Sequence, residues 1–126
     1  MSTDRTEQDP AVRALTELLT VLDTCMTELG GARTRAEKLL EERQSGRAWL
    51  DLVTAESRPL VVEQLSSVMA ALAGAGGAWR REQAYALASE QVSINRIAAM
   101  FGVTRQRISA LLRERGQGDD STALGE

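Results

Sequence analysis

Between Leu15 and Leu39 the apolar residues fall at alternating steps of three and four: Leu15, Leu18, Leu22, Cys25, Leu29, Ala32, Ala36 and Leu39. An α-helix, with 3.6 residues per turn, gathers such positions into one stripe, whereas a strand scatters them over both faces. The seven-residue rhythm is that of a coiled-coil seam. Leu15, Leu18, Leu22, Cys25, Leu29, Ala36 and Leu39 are therefore the expected dimerisation contacts. Leu19, Val21, Met26 and Leu40 widen the stripe, as in a helix packed within a bundle. Gly30 and Gly31 interrupt it at a cost of roughly 1 kcal/mol each against alanine. Burying several leucines offsets this, at about 1.5–3 kcal/mol apiece. The seam keeps its phase across the glycines, so one long helix is favoured over a hairpin turning at Gly30-Gly31.

The remaining chain also reads as helices. Residues 1–9 are polar and expected to be disordered, with Asp9 as an N-cap and Pro10 in the first helical turn. Gln44-Ser45-Gly46 marks a break, and residues 47–56 read as a short helix carrying Trp49, Leu50, Leu52 and Val53. Ser57-Arg58-Pro59 is a boundary, with Ser57 as a candidate cap. Helical spacing resumes over 60–73 through Val61, Leu65, Val68, Met69 and Leu72. Gly74-Ala75-Gly76-Gly77 reads as a linker. The expected fold is thus all-α: a helical dimerisation or interaction region over 10–73, a linker over 74–77, a three-helix module over 78–115 and an acidic disordered tail over 116–126.

Composition narrows the chemistry. The chain has no histidine and a single cysteine, which excludes histidine-based triads, multi-cysteine metal sites and an internal disulfide framework. Cys25 lies in the apolar seam and reads as a small core residue. Glu37, Glu41 and Glu42 have no partner set for catalysis and read as a solvated helix face. No enzyme activity, metal or cofactor is expected. The start lacks an apolar signal core and no stretch reaches the ~20 apolar residues of a membrane span, so a cytoplasmic protein without a membrane partner is expected.

The net charge is −3, but the charges are unevenly placed. Residues 1–75 hold eight Arg and Lys against twelve Asp and Glu. Residues 76–115 hold seven arginines (80, 81, 96, 105, 107, 113 and 115) against Glu82, Glu90 and Glu114. A locally basic module in an acidic chain is the layout a DNA-contacting segment requires.

Within that module, residues 94–113 carry the pattern of two helices crossing steeply over a short turn. Ala98 supplies the small residue at the crossing and Gly102 the positive φ of the turn. Ile97, Phe101, Val103, Ile108 and Leu111 fill the interface, and Thr104 is placed to cap the second helix. This stretch resembles the bacterial helix-turn-helix DNA-binding superfamily, and its segment from Phe101 to Ile108 is similar to sigma-factor promoter-binding regions and resolvase-type DNA-binding domains. The resemblance covers residues 78–115 and implies binding to double-stranded DNA, with no recombinase or sigma activity. A supporting helix over 78–90 is expected to pack Trp79, Ala86 and Leu87 onto Ile97, Phe101 and Ile108.

The second helix, over 104–115, would then read the major groove. Arg105, Gln106, Ser109, Ala110 and Arg113 are the expected base contacts, since Arg forks onto guanine, Gln onto adenine, and a small Ala accommodates a thymine methyl. Ser93, Asn95, Arg96, Thr104, Arg107, Arg80 and Arg81 are the expected backbone contacts. The favoured function is a dimeric, sequence-specific transcriptional regulator. A nucleoid-associated architectural protein and an adaptor whose N-terminal helices bind a protein partner are the alternatives.

Overall fold

The computed structural model describes the backbone of residues 9–124 and the side chains of residues 9–115. It contains five helices and, among the described residues, no strand: α1 (Pro10–Gln44), α2 (Trp49–Ala55), α3 (Val61–Ser89), α4 (Ile94–Phe101) and α5 (Arg105–Leu124). The expected disorder of residues 1–8 falls outside the described residues. No described helix is long and apolar enough to cross a membrane.

The helix starts follow local chemistry. Asp9 Oδ1 accepts from the Ala11 N–H at 2.9 Å, capping α1 ahead of Pro10. At α3 it is Glu56, not Ser57, that accepts the Val61 N–H, at 2.9 Å, while Glu63 reaches back to the Leu60 N–H at 3.2 Å. α1 runs unbroken through Gly30 and Gly31, as its phase predicts.

The expected linker is helical, although the boundary between the chain's two compact units falls within it, between Ala75 and Gly76. Gly74, Gly76 and Gly77 lie inside α3, which runs 29 residues without interruption. Alanines and leucines flank these glycines, and their helix propensity carries the helix across a cost of roughly 1 kcal/mol per glycine. Likewise α5 does not end at Arg115 but continues to Leu124, through backbone expected to belong to a disordered tail. No proline follows Arg115 to stop it.

The chain separates into two compact units. One is Leu18–Ala75; the other gathers the described residues up to Glu17 with those from Gly76 onward. In the first, Cys25 Sγ lies 3.9 Å from the Val68 carbonyl oxygen, and Gln64 donates to the Glu28 carbonyl at 3.3 Å. Later residues of α3 thus meet earlier residues of α1, so the two helices pair antiparallel. Cys25, Ala32, Leu52 and Val68 are its buried apolar residues. In the second unit Ala84, Ile97, Ala98, Ile108 and Leu111 form a closed core, with Leu87, Ala88, Val92, Ile94, Phe101, Val103 and Leu112 packed around it.

The antiparallel pairing divides the expected dimer seam. Cys25 and Ala32 are buried and Leu18 and Leu39 half-buried, whereas Leu15, Leu22, Leu29 and Ala36 stay exposed. Cys25, packed on Val68 of its own chain, is not available as an intersubunit contact. The seam's spacing is real, but alternate positions along it serve different surfaces.

Candidate nucleic-acid interface

α4 and α5 are held in place by four local devices. Ser93 Oγ accepts the Arg96 N–H at 3.2 Å, capping α4. Gly102, at φ 67°, ends α4 in the left-handed region, with its N–H on the Ala98 and Ala99 carbonyls. The Val103 N–H returns to Ala98 O at 3.0 Å, completing a closed C-terminal turn. Thr104 Oγ1 then accepts the Arg107 N–H at 3.1 Å, which starts α5. Ala98 is buried at the crossing, where a larger side chain would hold the two helices apart.

A similar turn closes α3. Gln91 has φ 71°, its N–H meets Ala88 O at 3.1 Å, and the Val92 N–H reaches Leu87 O at 3.1 Å. Sequence reasoning missed it, since nothing but its place three residues before Ile94 marks glutamine for a conformation usually given to glycine.

Helical geometry fixes what α5 shows to its surroundings. Ile108 and Leu111 are buried and Leu112 half-buried on one side. At about 100° per residue, Gln106, Ser109, Ala110 and Arg113 fall on the opposite side, with Arg105 and Arg107 flanking them. Arg105, Gln106, Arg107 and Arg113 are exposed; Ser109 and Ala110 are half-buried. On α4, Asn95 and Arg96 are exposed in the first turn beside the capping Ser93. Thr104, at the turn between the two helices, is exposed as well.

Two expectations need correction. Trp79 is half-buried and lies outside the core cluster; Ala84, Ala88 and Val92 fill the place given to it. Ala86 lines a cleft with Asp9, Pro10 and Ala11 instead of packing on Ile108. The cause is helix phase: Trp79 and Ala86 project from a different side of α3 than Ala84 and Leu87. Arg80, exposed, and Arg81, half-buried, lie within α3.

Arg115 was not singled out as a contact, and its role is internal. Its Nε lies 3.3 Å from Glu82 Oε1, both side chains being 18% exposed, and its guanidinium stacks 3.9 Å from the Tyr85 ring centroid. It ties α5 to α3. Only the 33-residue separation of the pair hid this from the sequence.

The electrostatics follow from these pairings. Among the described residues, Arg80, Arg81, Arg96, Arg105, Arg107 and Arg113 take part in none of the ion pairs; Arg115 alone in this module does. No group of three or more metal-ligating side chains occurs among the described residues.

No family model, curated protein or solved structure matches the chain. The reading of this surface therefore rests on its geometry and charge.

Proposed function

We propose that the chain is a dimeric, sequence-specific DNA-binding regulator whose α5 enters the major groove, acting in the cytoplasm on chromosomal DNA. One observation carries the reading: the exposed arginines of α4 and α5 are without carboxylate partners, on helices whose relative position is fixed by caps and a closed turn. Solvated cations on a rigid scaffold are what a polyanion recruits, because each phosphate neutralised releases counterions. The outward side of α5 adds the donors and acceptors that distinguish bases, Gln106, Ser109 and Arg113, with Arg105 at its edge and Ala110 small enough for a methyl group. Ser93, Asn95, Arg96, Thr104 and Arg107 supply the backbone contacts that set its register.

Selection of bound duplexes from a random pool tests this. The expected product is a motif of two half-sites spaced about 10–10.5 base pairs or a multiple, as two copies of one helix require. Arg105→Ala then costs roughly 1–3 kcal/mol and relaxes preference at one base position. Binding without enrichment would favour an architectural protein of broad preference. Failure to bind any duplex at low salt overturns the DNA reading and promotes the adaptor.

A further inference from the structure

The Leu18–Ala75 unit leaves a large apolar surface in water. On α1, Leu19, Leu22, Met26 and Leu29 are exposed at steps of three and four; on α3, so are Val62, Leu65 and Met69. Met26 and Met69 are each 70% exposed.

The two stripes lie on one side of the hairpin. On α1 the exposed stripe sits about 80° round the helix from the buried line through Cys25 and Ala32, in the sense of increasing residue number. On α3 it sits about 90° from Val68 in the same sense. Because the helices are antiparallel, equal senses bring both stripes to the same face. The hydrogen bonds confirm the other side independently: Arg35 donates to Gln64 at 3.1 Å, and Gln64 to Glu28, across the opposite face. α2 does not cover the stripes, since Leu52 lines a cleft with Arg35 and Leu39.

We infer that this face, Leu19, Leu22, Met26 and Leu29 with Val62, Leu65 and Met69, is the surface on which a second copy of the chain docks, making a four-helix bundle from two hairpins. Its area decides the occupant. Seven apolar side chains at these exposures present roughly 600–700 Å², more than a monomer's largest patch commonly does and near the ~800 Å² each partner gives a stable dimer. The stripe positions themselves are apolar, with Asp23 alone at the edge of the α1 stripe, one turn from Leu19 and Met26, so the face fits a mainly apolar partner surface. Beyond Leu29 the α1 stripe meets the Arg33–Glu37 ion pair at 3.3 Å, which forms a polar rim. A two-fold arrangement sets this patch against itself, which an interface of plain Leu, Met and Val side chains accommodates.

The inference deepens the dimer in the proposed function, but its test needs no DNA. Light scattering on the full chain at about 10 μM should give twice the 13.7 kDa chain mass. Met26→Glu with Met69→Glu should return it to monomer mass, raising the dissociation constant at least about a hundredfold, with unchanged helical circular dichroism. Met26→Ser with Met69→Ser, which adds no charge, should weaken the dimer in the same direction. Thr24→Glu with Ser67→Glu adds two charges on the far side of the helices and should leave the dimer intact. A wild-type chain that is monomeric up to 100 μM overturns the proposal and leaves the face to a different protein. So does a glutamate variant that stays dimeric. A dimer that binds no duplex sinks the DNA reading alone; a monomer that binds duplex sinks this one alone.

Discussion

The two units treat charge and apolar surface in opposite ways. In the Leu18–Ala75 unit four arginines are matched to carboxylates: Arg33 to Glu37, Arg35 to Glu56, Arg47 to Glu42 and Arg58 to Glu63, at 2.6–3.5 Å. A fifth, Arg43, lies over the Trp49 ring. Yet that unit leaves Leu19, Leu22, Met26, Val62 and Met69 in water. The α3–α4–α5 module does the reverse, closing a core around Ile97 and Ile108, both 0% exposed, and leaving only Met100 and Tyr85 exposed among its large apolar residues, while six of its seven arginines stand outside any ion pair. A unit whose arginines are all engaged, with Lys38 alone outside the ion pairs, and whose apolar face is open is suited to another protein surface. A unit with a sealed core and unmatched cations is suited to a polyanion.

The contrast can be broken most forcefully at the cores. Ile108→Ala removes a fully buried side chain from the closed cluster and should cost about 2–5 kcal/mol in urea unfolding, with loss of duplex binding. The comparable truncation Met69→Ala should change the folding stability of the isolated monomer by no more than about 0.5 kcal/mol. Equal losses at the two sites would mean that the hairpin face is already covered within the monomer.

Glycines sharpen the same comparison at smaller scale. Gly102 needs its positive φ, so Gly102→Gln should destabilise by about 1–2 kcal/mol. Gly31 and Gly74 are helical, and a Cβ at either meets nothing within 4 Å. Gly31→Ala and Gly74→Ala should therefore stabilise by about 0.4–1 kcal/mol each, read as raised melting temperatures. Destabilisation by either alanine would show that the long helices require those glycines for something the packing does not reveal.

These elements also show what a sequence can disclose. The continuity of α1 was legible because the apolar phase survives Gly30-Gly31, a property of the local pattern. Gly102, Ser93 and Thr104 were legible because caps and turns are settled within a few residues. The pairing of α1 with α3 was not. Positions Leu18, Cys25 and Ala32 look like Leu15, Leu22 and Leu29 until a distant helix covers one set, as Val68, 43 residues on, covers Cys25. The glycines at 74, 76 and 77 misled because three residues that weaken a helix resemble three that end one. Ala84 and Trp79 differ only in which side of α3 they occupy, and bulk favoured the wrong one. Arg115 was read as one more basic residue because Glu82 and Tyr85 lie on another helix.

The central claim is that the unmatched arginines, and not the matched ones, meet a polyanion. It is tested most directly by the salt dependence of duplex binding, in which the slope of log K against log salt counts the phosphates neutralised. Replacing Arg96 and Arg107 by glutamine should lower the magnitude of that slope by about 2, near one unit per lost phosphate contact. Replacing Arg33 and Arg47, each already held by a glutamate, should leave it unchanged. A slope that falls equally for both pairs, or for neither, contradicts the account.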